Sequence, residues 1–210
     1  KLYSYDISSE EVFKLSAYVL LKRGDNGSMG DIACISYGSL VMYTSFDRNF
    51  IKEKMKNSSL AEIMNLEWGY KIEKIHCPKK YEFLVGWTGI PSISGKMIIE
   101  VKNSINNEFL EKSEEIVRNL KNGIEQGNKK IISENVEENS KLLKMLHEKI
   151  YSRKLLELVE SAEGLDICAK SSGAGGGDCG IAISFNRNDT EKLLERWESR
   201  GIELLYKSEL

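Results

Sequence analysis

Few residues in this sequence can build metal centres or disulfide frameworks. There are two histidines, His76 and His147, and four cysteines, Cys34, Cys77, Cys168 and Cys179, none in a Cys-x-x-Cys pair. Zinc sites and dense disulfide scaffolds need closely spaced ligands or partners. Neither class fits, and the cysteines are expected as buried or half-buried thiols of a reducing compartment, the cytoplasm. No run approaches the roughly 20 apolar residues that cross a bilayer. Lys1-Leu2-Tyr3-Ser4 has no long apolar stretch behind it, so it does not read as a signal peptide. With 30 basic against 32 acidic residues, no global positive field favours nucleic acid or an anionic membrane, and neither is expected as a partner. Repeats and low-complexity linkers are absent too. The first residue is not methionine, which suggests a fragment or a processed chain.

What is present is an ordinary globular composition. Hydrophobic residues make up 41% and charged residues 30%, enough apolar material to form a core without covalent staples. Ser8 and Glu11 stand at capping-box spacing before a helix expected to bury Val12, Leu15 and Val19 and to stop near Arg23-Gly24. A polar run, Gly24 to Asp31, follows. Leu40–Phe46, Tyr70–Ile75 and Glu82–Trp87 read as strands. Phe109, Ser113, Ile116, Leu120 and Ile124 mark one helical stripe that Gly127 should end. Leu142, Leu146 and Ile150 suggest a second helix; Leu155, Leu156 and Val159 suggest a third, closed by Gly164. Cys179–Phe185 reads as a buried strand. Asn188 and Glu191 are placed to form a capping box for a last helix carrying Leu193, Leu194 and Trp197. Ile202–Tyr206 then returns as a strand. This order predicts an α+β fold with helices on one face of an antiparallel sheet.

The densest glycine cluster lies in Lys170-Ser171-Ser172-Gly173-Ala174-Gly175-Gly176-Gly177-Asp178. Backbone without side chains can adopt positive φ and approach a ligand closely. Successive N–H groups can then form an anion-binding nest, with two serine hydroxyls and Lys170 adding donors and charge. A flexible turn feeding a strand is the structural alternative. The run is not a P-loop, since the GxxxxGK[ST] order is missing. It is not a dinucleotide fingerprint either, since a strand follows where a helix should.

This run resembles the C-terminal glycine-rich motif of the GHMP kinases. Gly27-Ser28-Met29-Gly30-Asp31-Ile32-Ala33, with Tyr37-Gly38 behind it, is similar to a second motif of that family. Val85-Gly86-Trp87-Thr88-Gly89 with Ser92 is similar to a third. The forms seen here most resemble the bacterial phosphomevalonate kinase branch. The resemblance implies an incomplete N-terminal domain over residues 1–75 and a ferredoxin-like C-terminal domain over 76–210. It implies ATP-dependent phosphoryl transfer to the phosphate of phosphomevalonate, with ATP and Mg2+ as cofactors and no metal ligands identified. Asp31 and Lys170 are then the candidate catalytic residues. Gly27, Ser28, Ser171, Ser172, Gly173, Ala174, Gly175 and Gly176 are candidates for holding substrate or phosphate, with Lys22 and Arg23 as further countercharge. The family's earlier glycine- and serine-rich nucleotide loop has no counterpart here and is expected upstream of Lys1. Two other readings stay open: another kinase of the family, such as one acting on mevalonate, or a non-catalytic domain with the same fold.

Overall fold

The structure is a computed structural model that describes residues 6–25, 27–91, 101–173 and 175–210. The chain divides into two units, Lys1–Ile75 and His76–Leu210.

A capping box starts the first unit. The Ser8 hydroxyl accepts from the Glu11 N–H while the Glu11 carboxylate accepts from the Ser8 N–H, and helix α1 runs Ser9–Lys22. The face it buries is not the expected one. Phe13, Ala17 and Leu21 enter the core, whereas Val19 is 53% exposed. Apolar residues occur nearly all round this helix, so periodicity alone cannot choose a face; the ring of Phe13 does. It packs edge-on against Tyr43, Phe46 and Tyr70. Beside it Lys14 is buried, yet its ammonium is satisfied by Met64 O at 3.1 Å, Leu66 O at 3.2 Å and the Glu10 carboxylate at 3.2 Å. Those carbonyls lie at the end of a later helix, where unpaired acceptors accumulate. Hydrogen bonds from Lys14 and Tyr70 hold the Glu10 carboxyl below its ordinary value.

Helix α2 (Gly30–Tyr37) ends at Gly38 in the left-handed conformation. Strand β1 (Val41–Thr44) pairs antiparallel with β2 (Lys71–Lys74). Between them lie α3 (Arg48–Asn57), capped by Asp47, and α4 (Leu60–Asn65), opened by a second capping box, Ser59 with Glu62. The sequence patterns above identify none of α2, α3 and α4: each is short and lacks a sustained apolar stripe.

In the second unit β3 (Glu82–Trp87) leads to α5 (Asn107–Gln126), which Gly127 closes at φ +60°. Helix α6 spans Lys129–Leu146 and stops before Ile150, which falls in a 3-10 turn. Helix α7 (Arg153–Glu160) follows. Strand β4 (Ile167–Ser171) is a further correction, because Lys170 and Ser171 belong to a strand rather than to the loop after it. Strand β5 (Cys179–Ser184), helix α8 (Arg187–Ser199) and strand β6 (Glu203–Glu209) complete the unit. The cap of α8 is Asn186, whose side chain accepts from the Asn188 N–H; Asn188 and Glu191 form no box.

All pairings are antiparallel, in the order β4-β5-β3-β6, the strand order of a ferredoxin-like βαββαβ unit whose first crossover carries α5, α6 and α7. One sheet face packs Leu84, Ala169 and Ala182 against Leu158, Leu193 and Trp197 from α7 and α8. Glycine makes this approach feasible. A Cβ on Gly86 would sit 2.9 Å from the Trp197 ring, and one on Gly180 would run into Leu158. Of the cysteines, Cys77 and Cys168 are buried and Cys179 is half-buried, but Cys34 is exposed, contrary to expectation.

Candidate functional site

In the first unit the residues singled out by sequence sit where α1 hands over to α2. The Asp25 carboxylate accepts from the Gly27 N–H at 2.6 Å, and the Ser28 hydroxyl accepts from the Gly30 N–H at 3.3 Å. Met29 then starts α2 in the left-handed region, φ +67°, with no side-chain cap. Its side chain is 1% exposed. A bulky residue held at positive φ carries strain, which persists only where packing over-determines it. The consequence is an exposed first turn bearing Asp31, with Ser28 exposed beside it. A helix N-terminus presents orphan N–H groups. Lys22 and Arg23 lie exposed at the end of α1, and the Lys22 ammonium rests 5.3 Å from the centre of the Tyr18 ring. Basic groups there also suit the negative end of a helix.

In the second unit the glycine-rich run connects β4 to β5, and its neighbours grip it from two sides. On one side Gly176 N–H donates to Ile150 O at 2.8 Å. On the other, Asp178 N–H donates to Ile90 O at 2.6 Å, and Thr88 donates to Asp178 O through both its N–H, at 2.8 Å, and its hydroxyl, at 2.9 Å. Gly175 and Gly177 are buried by these contacts, whereas Gly173 is exposed and Ser172 and Gly176 are half-buried. Ala174 lies outside the described residues.

Much of the nest expected from the sequence is taken up by the protein itself. The N–H groups of Ser171, Ser172, Gly176 and Asp178 are all donated to protein acceptors: Tyr151 Oη, Cys179 O, Ile150 O and Ile90 O. Ser171 is fully buried, and its Oγ has no hydrogen-bond partner among the described residues. The hydroxyl available at the loop surface is that of Ser172.

Lys170 projects from the opposite face of β4 to Ser171. Its ammonium donates to Ser171 O at 2.7 Å, and no carboxylate pairs with it among the described residues. Burial alone pushes its pKa down to about 8, so near neutrality it is a poorly solvated cation with no counter-ion among the described residues. An anionic ligand would supply one. Burial pushes Cys168 up to about 12 and raises Cys179 as well. Neither thiol is a ready nucleophile. Among the described residues no three His, Cys, Asp or Glu side chains are grouped to hold a metal, so they offer no protein cage for magnesium. Nor is any described helix long and apolar enough to cross a membrane.

Sequence reasoning missed Ile150 and Tyr151, which grip the loop from about 20 residues upstream. They stand in a polar break between two helices, and nothing local marks them. Thr88 stands within a motif whose sequence assigns it no role.

Residues 117–203 match the family model for the GHMP kinases C terminal. That stretch carries the sequence signature of the GHMP kinases C-terminal domain. Within that family the chain's likeness is to phosphomevalonate kinases. Streptococcus pneumoniae phosphomevalonate kinase, solved in complex with phosphomevalonate and AMPPNP, is 45% identical and superposes with a TM-score of 0.96, covering 100% of this chain and 64% of that one. A curated phosphomevalonate kinase from Streptomyces sp. (strain CL190) is 27% identical, over 94% of this chain and 56% of the relative. The L. major mevalonate kinase in complex with R-mevalonate is 19% identical at a TM-score of 0.72, covering 99% of this chain and 59% of that one, a likeness of fold alone. The chain thus spans about 56–64% of the length of these relatives.

Proposed function

We propose that this chain is part of a phosphomevalonate kinase, transferring the γ-phosphoryl group of ATP to the phosphate of phosphomevalonate to give diphosphomevalonate on the mevalonate route to isoprenoids. The observation that carries this is the 45% identity and 0.96 TM-score to a phosphomevalonate kinase whose structure holds phosphomevalonate and a nucleotide analogue. Residues 1–75 are then the remainder of the family's N-terminal domain, and residues 76–210 its C-terminal domain. The four free cysteines support a reducing compartment, the cytoplasm.

The chemistry brings two polyanions together, and such transfer is catalysed mainly by positioning and charge stabilisation. Ser172 and Gly173, the accessible part of the loop, are assigned to phosphate. Lys170 is assigned to countercharge, for which its lack of a carboxylate partner among the described residues is the support. Ser171 and Gly176, whose N–H groups are committed to the protein, shape the loop, as does Gly175, which is buried. The acceptor phosphate has a second pKa near 6 and is largely ionised at neutral pH, so an obligatory base is not required. Asp31 is therefore assigned to organising substrate or a magnesium ion carried by the nucleotide, with Gly27 and Ser28 shaping its turn.

The test is ADP release by the full-length protein with ATP and Mg2+, comparing phosphomevalonate, mevalonate and galactose as acceptors. Turnover with phosphomevalonate is expected to exceed the others. Faster turnover with mevalonate, or none with any acceptor, would overturn the proposal.

A further inference from the structure

Two consecutive residues, remote in sequence, hold the two ends of the glycine-rich loop. Ser171 N–H donates to the Tyr151 hydroxyl at 3.1 Å, and Gly176 N–H donates to the carbonyl of the adjoining Ile150 at 2.8 Å. The Tyr151 hydroxyl lies 2.7 Å from Ser140 Oγ on α6, and the Lys144 ammonium sits 5.0 Å from the centre of its ring. Tyr151 is 6% exposed and Ser140 4%.

A phenylalanine would fill the same apolar space. Burying a hydroxyl instead costs free energy unless it is paired, and here it is paired twice. A phenol can donate and accept at once, so accepting from Ser171 leaves its proton for Ser140. What the hydroxyl adds over a plain ring is geometry. It fixes the point at which β4 ends and the loop begins, and ties that point to α6.

We propose that Tyr151 is a positioning residue for the glycine-rich loop. Its hydroxyl sets the Ser171 end, the Ile150 carbonyl sets the Gly176 end, and Ser172, Gly173 and Gly175 between them are held in one shape for the phosphates. Tyr151 touches no reacting atom and acts only through the loop. The proposal rests on the phosphoryl-transfer function above.

The test uses the full-length protein with Tyr151→Phe and Ser140→Ala. Its two readouts are steady-state kinetics with ATP and phosphomevalonate, and amide hydrogen exchange of the peptide spanning Ser171–Asp178. Misplacement of positioned groups costs up to on the order of 10²-fold, and about tenfold in kcat is expected for Tyr151→Phe. The KM for ATP should change little, and the loop peptide should exchange faster. Ser140→Ala should shift both readouts the same way, by less. A folded Tyr151→Phe with wild-type kcat and unchanged loop exchange would overturn the proposal. So would a loss of activity matching only the fraction of protein unfolded. If Tyr151→Phe does not fold, Ser140→Ala decides by the same two readouts. If the wild type itself does not phosphorylate phosphomevalonate, the proposed function fails separately. Loop exchange then decides alone, with faster exchange supporting the clamp and unchanged exchange refuting it.

Discussion

The carbonyl oxygen of Ile150 occupies the space that a side chain on Gly175 would need. Glycine at this position is a requirement of the protein's own packing, before any ligand is considered. Gly177 is similar: a Cβ there would sit 2.7 Å from Ile90 O. Gly175→Ala would add a methyl group against backbone at φ +76°. Overpacking of this kind costs about 1–3 kcal/mol. The variant should unfold at lower urea concentration than the wild type. A wild-type midpoint would mean the loop is not gripped as described.

Lys170 should leave a signature in the pH dependence of stability. Its folded pKa is lowered to about 8 from 10.5. Below about 8 both states carry the proton, and the folded state bears the full cost of the buried charge. Between about 8 and 10.5 the unfolded state binds more protons, so stability rises with pH. Relative to Lys170→Met, the Tm of the wild-type protein should therefore increase across that window. A constant difference would show that the ammonium is well solvated. For activity the sign is opposite: loss of the positive charge above about 8 should produce a falling limb, which Lys170→Arg should move to higher pH because a guanidinium stays charged.

Asp31 tests the kind of chemistry assigned to the first unit. It lies exposed in the first turn of α2, where a carboxylate contributes about 0.3–1 kcal/mol through the helix dipole. Asp31→Asn should leave the protein folded and lower kcat/KM strongly. The acidic limb of the pH–rate profile should persist, because it follows the substrate phosphate. Its disappearance would make Asp31 the base, and full activity would remove Asp31 from the site.

Met29 sets two effects against each other. Replacing it with glycine relieves left-handed strain of about 1–2 kcal/mol. It also empties a fully buried side-chain position, which costs about 2–5 kcal/mol for methionine to alanine. The cavity should win, so Met29→Gly should be less stable than wild type in thermal unfolding. A more stable variant would mean that backbone strain dominates at this turn.

The elements legible in the sequence are those whose signals are local. Ser8 with Glu11 announces α1, Gly127 announces the end of α5, and β3 begins and ends at the expected residues, Glu82 and Trp87. Each depends on hydrogen-bonding groups or φ preferences within a few residues. Strand β4 escaped because Ile167–Ser171 runs directly into the glycines and no turn residue separates them. The buried face of α1 escaped because Val12, Leu15 and Val19 are as apolar as Phe13, Ala17 and Leu21; only packing against Tyr43, Phe46 and Tyr70 distinguishes them.

The order of residues is enough to show that a glycine-rich stretch of backbone follows Lys170, that Asp31 directly follows a glycine- and serine-containing run, and that both resemble kinase motifs. How the glycine-rich stretch is used depends on contacts made in the folded chain. Its N–H groups are identical in kind, and a list of residues cannot say which will find acceptors. The carbonyls of Ile150 and Ile90 and the hydroxyl of Tyr151 come from chain 20 to almost 90 residues away. They take some of the donors and leave Ser172 and Gly173 accessible. The environment of the Lys170 ammonium is likewise a tertiary result, because its burial and the absence of a carboxylate partner among the described residues depend on what surrounds the end of β4.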